Sequence, residues 1–71
     1  MMLTGSVFFR DIGAGAWVLE ADDGRTYQLA GGDRKMKKEG ARIEVEGELD
    51  TSAVTAAMVG PVLTVKRYRF L

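Results

Sequence analysis

The sequence predicts an all-β protein, a small barrel of five strands. Two observations lead to this prediction. Apolar and polar residues alternate along most of the chain, and glycine, aspartate and proline divide it into five apolar segments of strand length. The chain has 71 residues, which is enough for one hydrophobic core only, so residues 1–71 are expected to form a single domain.

The first strand is predicted at Leu3–Arg10. Because side chains alternate between the two faces of a strand, Phe8 and Arg10 are expected to face away from the core. The core face of this strand is expected to carry Leu3, Gly5, Val7 and Phe9.

The second and third strands are predicted at Ala16–Ala21 and Arg25–Leu29, and they are expected to form a hairpin. The turn between them contains an Asp-Gly pair, which is typical of tight turns because glycine adopts a positive φ at little cost. The core face of this hairpin is expected to carry Trp17, Leu19, Ala21, Tyr27 and Leu29, and the opposite face Ala16, Val18 and Glu20.

The stretch 31–40 is polar and breaks the alternation. Asp33 suits the N-cap of one or two helical turns, and Gly40 could end them in the left-handed conformation. A short helix or a compact loop is therefore expected between the third and fourth strands. This stretch carries four basic residues, Arg34, Lys35, Lys37 and Lys38.

The fourth strand, Ala41–Leu49, alternates cleanly, but the last strand, Val62–Phe70, changes phase along its length. A β-bulge near Lys66–Arg67 would restore one core face, because it shifts the register by one residue. Residues 50–61 between these strands fit either a short helix or a sixth strand. If the two strands pair, three glutamates would lie beside three cations and stabilise the sheet, namely Glu44, Glu46 and Glu48 beside Lys66, Arg67 and Arg69.

The order of three strands, a short helix or loop and two further strands resembles the OB-fold superfamily, as does the glycine-containing first strand. The strings Gly24–Leu29, Val45–Leu49 and Gly60–Val65 are similar to small bacterial OB-like domains of unknown function. This resemblance implies a five-stranded OB-fold-like barrel, with no catalytic signature to carry over. An SH3-like barrel uses the same strand lengths and is the alternative, and a formed helix at 33–38 would favour the OB-like arrangement.

The composition argues against an enzyme. The chain has no cysteine and no histidine, so the commonest general base, the thiol nucleophile and every Cys/His metal site are excluded. We expect no cofactor and no metal. The start of the chain lacks signal-peptide character and no apolar run is long enough to cross a membrane, so a cytoplasmic location and no membrane partner are expected.

The sequence predicts a small non-catalytic binding or interaction module that meets an unknown protein partner or a second copy of itself. The fifth strand and the apolar stretch 50–61 are the candidate surfaces, with Val54, Met58 and Val59 as candidate contact residues. The stretch could instead be a lid that closes one end of the barrel.

The alternative function is weak single-stranded nucleic-acid binding through the barrel face and the basic loop. Phe8 beside Arg10 could stack a base, and the cations at 34–38 could contact phosphates. Several structural explanations compete with this one. Phe8 could belong to a second small apolar cluster or to a dimer interface, and the basic loop could serve solubility. The net charge of zero gives no general sign of nucleic-acid binding.

Overall fold

The computed structural model describes residues 1–11, 13, 15–50 and 60–71. All five predicted strands are confirmed, with bounds that differ by at most two residues. The stretch between the third and fourth strands forms one 3-10 helical turn. The elements are β1 Met2–Arg10, β2 Ala16–Ala21, β3 Thr26–Gly31, the 3-10 turn Arg34–Met36, β4 Ala41–Asp50 and β5 Val62–Phe70.

The strands close into a barrel in the order β1-β2-β3-β5-β4, with β4 pairing back onto β1. Four of the five pairings are antiparallel, and the pairing of β3 with β5 is parallel. The predicted fold class, an all-β barrel of five strands with a short helical element between strands three and four, is confirmed.

The β2–β3 turn forms as the Asp-Gly pair predicts. Gly24 has a φ of 89°, a conformation that residues with a Cβ avoid. The Asp23 carboxylate accepts a hydrogen bond from the Arg25 amide at 2.8 Å and another from the Tyr27 hydroxyl at 3.3 Å. Local turn chemistry therefore sets the register of this hairpin.

A change of register in β5 confirms the predicted bulge. Glu46 pairs with Arg67, but the next residue of β4, Gly47, pairs with Val65, so Lys66 is the extra residue. A Cβ on Gly47 would clash with the carbonyl oxygen of Thr64, so only glycine allows this close approach. Because of the bulge, apolar residues before and after Lys66 face the inside of the barrel. Leu63 belongs to the core cluster, and Val65 and Tyr68 pack against it.

The core fills the barrel with side chains from every strand and from the 3-10 turn. Met36 has no exposed surface and is the turn's contribution to this cluster. Partly buried side chains, including Trp17 and Tyr68, pack around it. The buried cluster consists of Val7, Leu19, Ala21, Tyr27, Leu29, Met36, Ile43, Val45 and Leu63.

Val18 lies on the face of β2 opposite the core face, as predicted, but it is buried there. It points away from the core cluster, yet its exposed fraction is 0%. Val62, at 6%, belongs to the same outward row, because both residues are in register with Gln28. Alternation identifies the two faces of a strand, but it does not determine whether the outer face is covered.

Residues 51–59 lie outside the described part of the chain. The predicted contact residues Val54, Met58 and Val59 therefore remain predictions, as does the choice between helix and strand for this stretch. The described chain leaves β4 at Asp50 and enters β5 at Val62, and these two residues are in register with each other.

Met36→Ala is expected to lower the free energy of unfolding by about 2–5 kcal/mol, because it empties a fully buried site in a small core. Urea unfolding followed by Trp17 fluorescence measures the change. Met36→Leu keeps the volume and should lose less than about 1.5 kcal/mol. Lys35→Ala, at an exposed position in the same turn, is the control. If Met36→Ala unfolded at the same urea concentration as this control, Met36 would not be a core residue.

Candidate functional site

The basic loop between β3 and β4 is organised by one carboxylate. Asp33 is the N-cap of the 3-10 turn, as predicted, and its Oδ1 accepts from the amides of Lys35 at 2.9 Å and Met36 at 3.4 Å. These bonds satisfy amides that would otherwise lack partners at the start of the turn. Because Met36 is held in the core, the cations on either side of it project into solvent.

Two hydrogen bonds attach the end of this loop to β1. The Phe9 amide donates to Glu39 Oε1 at 2.6 Å, and the Gly40 amide donates to the Val7 carbonyl at 2.7 Å. Gly40 has the predicted positive φ, 78°. These two bonds fix the end of the loop that follows the basic segment against β1.

Tyr68 of β5 joins the same arrangement, because its hydroxyl donates a hydrogen bond to Asp33 Oδ1. This bond is the main cause that lowers the pKa of Asp33, and the amides of Lys35 and Met36 lower it further. The same bond raises the pKa of Tyr68, since it favours the neutral phenol. Asp33 therefore stays ionised and links β5 to the basic loop.

Two exposed aromatic rings flank the basic loop. Phe70 is 47% exposed, and the Lys38 ammonium lies 5.8 Å from its ring centroid, within the range of a cation–π interaction. Phe9 is 42% exposed and packs edge-on against Trp17, with centroids 5.4 Å apart. We call the surface formed by residues 33–40, Phe9, Tyr68, Phe70 and Leu71 the cationic end.

Ion pairing concentrates the free positive charge at this end. Half of the ten Lys and Arg residues have a carboxylate partner in the described part of the chain, and the pairs include the predicted ones between β4 and β5. The other five cations have no carboxylate partner in the described part of the chain. Four of them are the cations of the basic loop, and the fifth is Arg25, which lies at the opposite end of β3. The pairs are Arg10–Glu20, Arg42–Asp22, Lys66–Glu48, Arg67–Glu46 and Arg69–Glu44.

Phe8 and Arg10 lie together on the outer face of β1, as predicted, with the guanidinium carbon 5.4 Å from the ring centroid. Arg10 also pairs with Glu20, which neutralises its charge. Phe8 is only partly exposed and is in register with the buried Val18. These contacts favour a place for Phe8 in an apolar outer cluster over an open stacking surface.

Phe9 and Phe70 are exposed, although the sequence places both at or beside the core. Both have the phase of core residues, but each lies at or next to the end of its strand, beyond the packed layers. Their position at the predicted strand ends is the feature of the sequence that could have indicated their exposure. Trp17 and Tyr68 pack at the edge of the core and Tyr27 lies within it, as predicted.

The chemistry available at the cationic end is recognition of anions. The loop carries four exposed ammonium and guanidinium groups, and that of Lys38 lies over the Phe70 ring. The two carboxylates of the loop, Asp33 and Glu39, accept hydrogen bonds from amides and a hydroxyl, so the cations outnumber them by two. Within the described residues, no group of three or more potential metal ligands comes together. None of the helical structure described is long and apolar enough to cross a membrane.

Comparison with known families gives one match, which covers residues 10–68 and is described as a protein of unknown function, DUF5818. The chain belongs to the DUF5818 family. No curated protein and no solved structure matches the chain. The range matched by the DUF5818 family includes the basic loop and Tyr68, whereas Phe9 and Phe70 fall just outside it.

Tyr68→Phe is expected to raise the pKa of Asp33 toward its ordinary value, because the hydroxyl that donates to the carboxylate is removed. A carbon-detected NMR titration of the carboxyl groups measures this pKa. Tyr27→Phe is the matched control, since its hydroxyl bonds to Asp23 instead. An Asp33 pKa that is the same in wild type and Tyr68→Phe would contradict the link between β5 and the loop.

The same bond predicts how stability depends on pH. The pKa of Asp33 is lower in the folded state, so its contribution is complete above about pH 4 and is lost as pH falls through the folded value. The pKa of Tyr68 is raised, so its contribution is complete below about pH 10 and is lost as pH rises through the folded value. The stability difference between wild type and Tyr68→Phe should be largest between these limits. A difference that grows in acid would contradict this assignment.

Proposed function

We propose that this DUF5818 protein is a small, non-catalytic binding module of the OB type, and that the cationic end is the surface that binds an anionic macromolecule. The unpaired cations at 34–38 beside exposed Phe70 are the observation that carries the proposal. Clustered charge of one sign attracts an oppositely charged partner over a distance, and apolar rings add short-range contact area.

The barrel topology supports the OB-type assignment. The helical turn lies between β3 and β4, which is the feature expected to favour this arrangement over an SH3-like one. The closed order of five strands supports it as well. Because OB-like barrels carry many unrelated functions, the choice of partner must be argued from the surface and not from the fold.

The zero net charge does not oppose this proposal. The ion pairs between β4 and β5 place a glutamate beside each cation of β5, so the cations that lack a carboxylate partner in the described part of the chain are gathered mainly in the loop. The absence of histidine and cysteine from the sequence supports a binding role over a catalytic one. A cytoplasmic location stays a prediction.

A protein partner is the first candidate, and single-stranded nucleic acid is the second. The second candidate is favoured by the side-by-side placement of cations and exposed rings, which is the combination that binds unpaired strands. In this proposal the nucleic acid contacts the cations of the basic loop and two exposed rings, namely Arg34, Lys35, Lys37, Lys38, Phe9 and Phe70. Phe8 and Arg10 contribute less, because they contact each other on the outer face of β1 and Arg10 is also paired with Glu20.

The test is an amide NMR titration at low salt with two anionic probes, a short oligothymidylate and a short peptide of alternating glutamate and valine. We expect at least one probe to shift the amides of residues 34–38 and 68–71. Lys37→Glu should weaken that probe's binding roughly fivefold, because reversal replaces an attraction with a repulsion. Added salt should also weaken binding.

Arg25→Glu is the matched control. Arg25 is also exposed and has no ion pair in the described part of the chain, but it lies at the opposite end of β3, so the same change in net charge should leave binding almost unchanged. Equal loss in the two variants would reduce the effect to net charge. Shifts confined to other regions, or none with either probe, would rule out the cationic end as the binding surface.

A further inference from the structure

The last residues of β5 present an open strand edge at the cationic end. The parallel pairing with β3 ends at Val65, so beyond that point β5 pairs only with β4 within the described residues. The Leu71 amide donates to the Arg42 carbonyl at 3.0 Å, which fixes the alternation of this antiparallel ladder. By that alternation Arg67 and Arg69 exchange bonds with β4, whereas the amides and carbonyls of Tyr68 and Phe70 point away from it.

No described residue of the basic loop takes up these backbone groups. The loop reaches β5 through side chains, from Asp33 to the Tyr68 hydroxyl and from Lys38 to the Phe70 ring. Its backbone hydrogen bonds run within the loop and to β1. Among the described residues, the edge therefore offers two donors and two acceptors at the spacing that an added strand requires.

The side chains beside this edge show which strand would fit it. On the outer face, the side chain of Arg67 is 74% exposed while its partner Glu46 is 31% exposed, so the surface there is mainly guanidinium. Arg69 covers Glu44 in the same way. On the other face, Phe70 is an exposed ring. An added strand would therefore meet the exposed guanidinium side of two ion pairs on one face and an apolar ring on the other.

We propose that β5 accepts an extended acidic peptide as an additional strand, along Tyr68–Leu71, with alternating carboxylate and apolar side chains. This inference rests on the proposed function and names the partner class for the cationic end. Backbone pairing provides affinity in strand addition, and the alternate side chains provide specificity. Carboxylates on one face would meet Arg67 and Arg69, and apolar side chains on the other would meet Phe70.

The other occupants fit less well. A second copy paired through β5 would bring further ion-paired arginines and no additional carboxylates to this edge, so it offers no complementary charge. A phosphate backbone offers acceptors only, so the carbonyls of Tyr68 and Phe70 would gain no donor.

The experiment combines binding with hydrogen exchange, using the full chain and the glutamate–valine peptide. We expect the Tyr68 and Phe70 amides to exchange about tenfold more slowly in the complex, because each gains an acceptor. The same peptide with alternate amide nitrogens methylated keeps its charge but loses donors, and it should bind about tenfold more weakly. A lysine–valine peptide of the same length should not bind.

The outcomes separate this inference from the function it rests on. Equal binding of the methylated and unmethylated peptides, or binding without slower exchange at Tyr68 and Phe70, would overturn strand addition while the cationic end remained the binding surface. Binding of oligothymidylate but not of the peptide would assign the surface to nucleic acid instead. No binding of either probe would overturn the proposed function itself.

Discussion

The extra residue in β5 is the constraint on which most of this barrel depends. Side chains alternate strictly along a strand, so without the shift at Lys66 either the Leu63 and Val65 pair or the Tyr68 and Phe70 pair would face outward. The shift brings both pairs to the inner face. It also aligns the cations of β5 with the glutamates of β4. The same bulge therefore determines which β5 side chains enter the core and which form ion pairs on the outer face.

The alignment of charges explains how a neutral chain carries a basic surface. Each exposed ion pair contributes little to stability, since solvent screens the interaction. Their larger effect is on the distribution of charge, because each cation of β5 has a glutamate beside it, whereas the cations of residues 34–38 have no carboxylate partner in the described part of the chain. Composition averages over both regions and therefore hides the difference between them.

The basic loop can project its cations because its centre is held inside the barrel. Met36 provides the buried anchor, Asp33 caps the turn, and the Tyr68 hydroxyl ties that cap to β5. The loop and the open edge of β5 thus share one support. In the proposed mode of binding, a strand paired with this edge would lie beside the cations of the loop.

Features that depend on neighbouring residues could be predicted from the sequence. The five strands, the Asp-Gly hairpin, the Asp33 cap and the need for a bulge all follow from periodicity and turn chemistry, which act over a few residues. The pairing of glutamates with cations followed once two adjacent strands were assumed. The fold class was therefore predictable, with one short helical element in its correct place.

The position of the barrel's ends and the contacts between distant residues depend on how the whole sheet closes. Alternation could not show that Phe9 and Phe70 extend past the packed layers, that Val18 is covered, or that Tyr68 bonds to Asp33 across 35 positions of sequence. The parallel contact between β3 and β5 likewise depends on closure of the whole sheet. The candidate site is assembled from such long-range contacts, and a pattern that repeats every two residues holds no information about them.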